Sequence, residues 1–247
     1  MKPVRWALAS VGLVGVVAAA TQAPRVLRRM EQFRVARVEV LGTRYLAPHH
    51  ALAASGITRA SSVFDDPEQW KAALLRHPLI VDARIERRLP NTVVLEITEA
   101  EPVALVGTRE LKPVDARGRV LPIDPAVAPL DLPLLGVPSD TGPDGRLTDP
   151  GAITLIRELD RIRRLEPGIA DQISEIHQVA GGHLRLMLRQ PARAEMLIPP
   201  DADPVRLRQV RAVLADLVAR GELERLRRID VRFRDQVVVA LDSSASS

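Results

Sequence analysis

Cysteine is absent from this 247-residue chain. That absence excludes a disulfide framework, a thiolate metal site and a cysteine nucleophile together. It leaves the compartment open, because an exported domain large enough to bury a core needs no bridges. Aromatic residues make up only 2% of the chain, so a core has to be assembled from Leu, Val, Ile and Ala, within a hydrophobic fraction of 46%. The same scarcity removes the stacking platforms on which single-stranded nucleic acids rest. Lysine is almost missing too. Lys2, Lys71 and Lys112 are the only ones, and none follows a serine by three residues as a Ser-x-x-Lys nucleophile requires.

What is present is arginine. Net charge is only +4, and no zinc-finger or RNA-binding signature accompanies it. Arginines spread over solvated faces account for the balance better than a polyanion-binding surface does. No Gly-rich phosphate loop, Walker pattern or Gly-x-Ser-x-Gly elbow occurs. The pair His49-His50 could ligate a metal, but no further ligand lies at helical or hairpin spacing, so a surface pair at a helix start is the simpler reading. Carboxylates are plentiful and none is marked out. The sequence offers no candidate catalytic residue, metal or cofactor.

Residues 6–23 carry no charge and are mostly Ala, Val, Leu and Gly. About 20 apolar residues span a bilayer, so this stretch is just long enough for a transmembrane helix. The rival is a cleaved signal peptide: Ala18-Ala19-Ala20 offers a small-residue site, while Pro24 disfavours cleavage after Ala23. Lys2 and Arg5 precede the stretch, whereas Arg25, Arg28 and Arg29 follow it, so charge alone barely sets the orientation. A short head and a long following domain favour export of the carboxy-terminal part.

Beyond a basic linker, the pattern predicts a strand over 33–41, a helix over 48–55 and a helix from Asp66-Pro67 to His77. Two alternating strands follow, through Val81, Ala83 and Ile85, and through Val93, Leu95 and Ile97. This order of strand, helix, helix, strand, strand predicts a small sheet with two helices on one face. Past Glu101-Pro102 strands dominate: 103–106, 111–114 and 120–123, then a proline-rich loop over 122–143. Helices start at Asp149-Pro150 and Asp203-Pro204. The first presents Ile153, Ile156, Leu159 and Ile162 inward, and the second presents Leu207, Val210, Leu214 and Leu217. Between them a hairpin turns at Gly181-Gly182, and Leu184, Leu186 and Leu188 alternate with Arg185, Met187 and Arg189.

The chain ends on Ile229, Val231 and Phe233, a turn at Asp235-Gln236, and the run Val237-Val238-Val239-Ala240-Leu241. A terminal hairpin strand at a sheet edge has unpaired backbone groups that can accept a strand from another protein. An internal strand buried on both faces gives the same continuous apolar run. Pattern alone leaves both readings open.

Several blocks together resemble the FtsQ/DivIB family of bacterial division proteins. The stretch Phe33-Arg34-Val35-Ala36-Arg37-Val38-Glu39-Val40-Leu41-Gly42 resembles the opening strand of its POTRA domain. So does the block from Leu79 through Arg87-Arg88-Leu89-Pro90-Asn91-Thr92 to Glu99, followed by Pro102-Val103-Ala104. Val114-Asp115-Ala116-Arg117-Gly118 and Asp131-Leu132-Pro133-Leu134-Leu135-Gly136 are similar to its second, β-rich domain. Arg228-Ile229-Asp230-Val231-Arg232-Phe233 resembles its closing strands.

The resemblance implies an α+β protein. Residues 1–5 would be a cytoplasmic head, 6–23 a single transmembrane helix and 24–32 a membrane-proximal linker. A POTRA domain of β-α-α-β-β order would span 33–100. A β domain with two helices and a C-terminal edge hairpin would span 101–241, before a polar tail at 242–247. The implied role is a non-catalytic scaffold that recruits FtsB, and through it FtsL, by strand addition to its last strand. By position, Arg232, Phe233 and Asp235 fall on the binding hairpin, and Val237, Val238, Val239, Ala240 and Leu241 on the receiving strand. The better-studied members carry an aromatic residue where Leu241 stands and a small polar one where Asp235 stands. The implied place is the inner membrane at the division septum, single-pass and type II, with the bulk in the periplasm. Other division membrane proteins are implied partners, while nucleic acid and small-molecule substrates are not. The rival readings are a POTRA-bearing assembly or secretion component and an exported enzyme without a recognisable motif.

Overall fold

The computed structural model describes residues 27–28, 30–107, 110–124, 128–233 and 236–242. The head at 1–5 and the membrane helix at 6–23 lie outside the described residues, as does most of the 242–247 tail. Among the described residues, no helix is long and apolar enough to cross a membrane. The chain divides into two units, Met1–Ala100 and Glu101–Ser247.

In the first unit, β1 (Arg37–Leu41) is followed by helices α1 (Pro48–Ser55) and α2 (Pro67–Leu74), then β2 (Ile80–Arg88) and β3 (Thr92–Glu99). The sheet order is β1-β3-β2, with β1 parallel to β3 and β2 antiparallel to it. The parallel pair requires a crossover, which the two helices supply. Ala51, Trp70, Leu74, Leu79, Ala83, Val93, Leu95 and Ile97 form the core. Asp66 caps α2 through its carboxylate, which accepts from the Glu68 amide at 3.1 Å, and Pro67 needs no donor in the first turn. The Glu99 carboxylate accepts the amides of Tyr45 and Leu46 at 2.8 and 2.9 Å, tying the loop before α1 to the end of β3. Gly42 has φ +80°, and a Cβ there would lie 2.2 Å from the Ile97 carbonyl oxygen, so only glycine fits.

Two expectations change here. The second helix ends at Leu74 and continues to His77 only as turns. Val81 is 48% exposed rather than inward, because a bulge between Ile80 and Asp82 shifts the register.

The second unit is one mixed sheet of order β11-β10-β9-β8-β7-β6-β4-β5. Its strands are β4 (Pro102–Gly107), β5 (Leu111–Asp115), β6 (Leu134–Leu135), β7 (Ile173–Gln178), β8 (Leu184–Leu188), β9 (Glu195–Ile198), β10 (Leu226–Asp230) and β11 (Val238–Leu241). Helices α3 (Pro150–Leu165), α4 (Pro167–Ala170) and α5 (Pro204–Ala219) interrupt them. β6 runs parallel to β7, and β9 parallel to β10. Parallel neighbours need long crossovers; α3 and α4 bridge the first pair and α5 bridges the second. Asp149 and Asp203 cap α3 and α5, accepting the amides of Ala152 and Arg206 at 2.8 and 2.9 Å. Leu207, Val210, Leu214 and Leu217 of α5 are all buried, as are Leu184, Leu186 and Leu188 of β8.

On α3 the inward face includes Ala152, Leu155, Ile156, Leu159 and Ile162, while Ile153 is only partly buried. The same helix buries two carboxylates. Glu158 accepts from Arg161 at 2.7 Å and from the Asp201 amide at 3.3 Å, and Asp160 pairs with Arg163 at 3.4 Å and with Arg164. The expected strand at 120–123 is not regular. Val120 makes a single bridge to Val114, and Pro122 has no amide to continue a ladder. The proline-rich loop contains β6, two residues inserted between β4 and β7.

Candidate functional site: the terminal hairpin edge

β10 and β11 are antiparallel, with Asp230 opposite Val238, Ile229 opposite Val239, Arg228 opposite Ala240 and Leu226 opposite Leu241. A bulge lies between Leu226 and Arg228. β11 is the outermost strand, and among the described residues nothing pairs with its other edge. Val237, Val239 and Leu241 are half-buried against the core, whereas Val238 is 44% exposed and Ala240 also faces out. This alternation belongs to a strand with one wet face, not to one buried on both.

The end of β11 is tied down by main-chain bonds. The Asp242 amide donates to the Arg225 carbonyl at 2.7 Å, and the Arg225 guanidinium donates back to the Asp242 carbonyl at 3.0 Å. Arg225 also pairs with Glu222 at 3.2 Å, and Arg227 pairs with the Asp242 carboxylate. At the turn end, Asp230 is 6% exposed. It accepts two bonds from Arg232, at 2.6 and 2.9 Å, and the Arg232 amide at 3.1 Å. The side-chain bond from Arg232 holds the Asp230 carboxyl below the usual carboxylate range, outweighing the upward push of burial. In the middle, Glu195 on β9 sits between Arg185 at 3.6 Å and Arg228.

Among the residues expected to bind a partner, Arg232 is thus occupied by Asp230, and Phe233 is 48% exposed just past β10. Val237 to Leu241 lie together on the edge strand, and Asp235 is outside the described residues. The pattern reading missed Arg225, Asp230 and Asp242, which hold the hairpin in place. Asp230 and Arg232 carry a usable signal, since opposite charges two apart on an extended segment share a face.

Nothing comparable assembles for catalysis among the described residues. No three His, Asp or Glu side chains converge as a metal site. His49 and His50 stack with ring centroids 4.1 Å apart at the start of α1. Burial holds the His77 imidazole below its ordinary value, assisted by His50. A groove of about 470 Å³ lies between α4, α5 and the 189–192 turn. Its walls include Ile169, Leu214 and Val218, and its two arginines are engaged, Arg189 with Asp131 and Arg211 with Glu166 at 3.2 Å.

Comparison with known proteins gives the frame for this hairpin. The family model described as "POTRA domain, FtsQ-type" matches residues 33–100, and "Cell division protein FtsQ/DivIB, C-terminal" matches residues 104–232. The second match stops just short of β11. A curated cell division protein FtsQ from Myxococcus fulvus is 28% identical over 228 residues, 87% of this chain and 76% of that protein. FtsQ from Rhodothermus marinus is 28% identical over 227 residues, 88% of this chain and 81% of its own. Cell division protein DivIB from Geobacillus kaustophilus is 36% identical over 104 residues, 41% of this chain and 40% of that protein.

Proposed function

Because the chain belongs to the FtsQ/DivIB family of cell division proteins, we propose that it is a non-catalytic divisome scaffold that captures FtsB, and through it FtsL, by strand addition to β11. The observation that carries this reading is the outer edge of β11, which pairs with nothing among the described residues while its inner edge pairs with β10 and its end is tied to Arg225. An added strand gains main-chain hydrogen bonds along that edge, and alternate side chains meet Val238, Ala240 and the exposed ring of Phe233. Pre-fixing the receiving strand lowers the ordering cost of association. In this reading Arg232 acts mainly by holding Asp230, and the backbone of Val237 to Leu241 does the gripping.

The scaffold is anchored by residues 6–23 in the inner membrane with its two units in the periplasm, and it gathers at the septum with other division membrane proteins. A fluorescent fusion combined with depletion tests the role in the cell. Midcell signal and filaments on depletion are expected; uniform envelope signal with normal division would rule the role out.

A further inference from the structure

β1 is a second free edge. Its inner side pairs with β3, and among the described residues its outer side pairs with nothing. Just before it, Phe33 and Val35 exchange main-chain bonds with Val63 and Ser61 at 2.9 Å, which closes the edge as far as Val35 and leaves it open from Arg37 to Leu41.

Edge strands are commonly guarded by charge, proline, bulges or a covering element. β2, the other edge of the same sheet, is guarded in this way. It has the bulge at Ile80/Asp82, an ion pair from Asp82 to Lys71 at 2.9 Å, and exposed Arg84, Glu86, Arg87 and Arg88. β1 carries charge at Arg37 and Glu39 alone, has neither proline nor lysine, and no bulge interrupts its register with β3. Beside it runs a groove of about 330 Å³ lined by Val35, Ala36, Val38, Leu52 and Ile57. Its apolar floor suits aliphatic side chains at every second position of an added strand.

The unpaired charges around this groove among the described residues are positive. Arg59 lines it, and Arg34 and Arg37 stand at the strand; all three are exposed and make no ion pair among the described residues. The nearby carboxylate of Glu39 is taken by Arg88 at 3.0 Å. An apolar trough, an open strand edge and three uncompensated guanidiniums fit one kind of occupant. We infer that the outer edge of β1 binds an extended segment of another protein in which aliphatic residues alternate with aspartate or glutamate. This site is separate from β11 and goes beyond the scaffold reading above.

The test is a fluorescence-anisotropy titration of the full-length chain with a labelled heptapeptide alternating valine with aspartate and glutamate. The control peptide has lysine in place of each acid. Saturable binding of the acidic peptide alone is expected, weakening as salt is raised. Arg37→Glu with Arg59→Glu should weaken it at least tenfold; both side chains are exposed and unpartnered, so the fold is spared. Leu52→Glu, which places a carboxylate in the groove, should do the same. Val238→Pro should leave it unchanged, which separates this site from β11. The inference is overturned if the acidic peptide fails to bind, binds the charge-reversed variant equally well, or is lost in Val238→Pro. It is also overturned if Arg37 and Arg59 govern binding only to phosphatidylglycerol vesicles, which would make the patch a lipid contact.

Discussion

β1 and β11 are both outer strands of their sheets, yet their electrostatic settings are opposite. Every described arginine of the β10–β11 hairpin has a partner: Arg225 has Glu222, Arg227 has Asp242, Arg228 has Glu195 and Arg232 has Asp230. Around β1, Arg34, Arg37 and Arg59 have none among the described residues. An edge whose charges are already satisfied can offer a newcomer only main-chain groups and apolar side chains. An edge with free guanidiniums also attracts acidic residues at a distance. The first should hold its partner almost independently of salt, while the second should respond strongly.

The largest effect is expected from the strand that β11 pairs with. Ile229 on β10 is fully buried and lies opposite Val239. Ile229→Ala should cost about 2–5 kcal/mol in urea unfolding and weaken FtsB capture, because Val239 loses its cross-strand neighbour.

Next comes the clamp at the turn. Asp230→Ala should cost about 1–3 kcal/mol, since it removes a buried acceptor from three donors. The pH dependence has a definite sign. The carboxyl is lowered in the folded state, so its stabilisation is complete above the ordinary aspartate value of about 4. It is lost as pH falls through the lower folded value. Acid titration of wild type should show that loss, and Asp230→Ala should flatten it.

A smaller change is expected from the helix caps. Asp203→Ala should cost about 0.5–2 kcal/mol by thermal unfolding, since the Arg206 amide loses its acceptor. The smallest sharpens the contrast itself. FtsB capture at β11 should shift little between low and high salt, while acidic-peptide binding at β1 falls steeply.

Much of this was legible in the residues. The three Asp-Pro starts mark three helices because aspartate can cap and proline needs no donor. The inward face of α5 follows from a clean 3.6 period, with Leu207, Val210, Leu214 and Leu217 all buried. Short or irregular pieces were not legible. β6 is two residues long, too short for any period to register, and the bulge at Ile80/Asp82 reversed the expected side of Val81. The placement of β11 at an edge could not be read either. A run of five apolar residues suits both an edge and an interior strand, and only the sheet order decides between them. The partner of Arg232 within the chain, Asp230, was not legible either, because it shows only once the two side chains are placed on one face.

In the proposed function the outer backbone edge of β11 does the gripping. Successive amides of a strand point to opposite sides, so of Val238 and Val239 one donates toward β10 and the other outward. The most direct measurement is FtsB capture by Val238→Pro and Val239→Pro, each checked for the β10–β11 pairing by amide exchange. The outward-facing substitution should abolish capture while that pairing survives. Capture that persists with proline at both positions would contradict it.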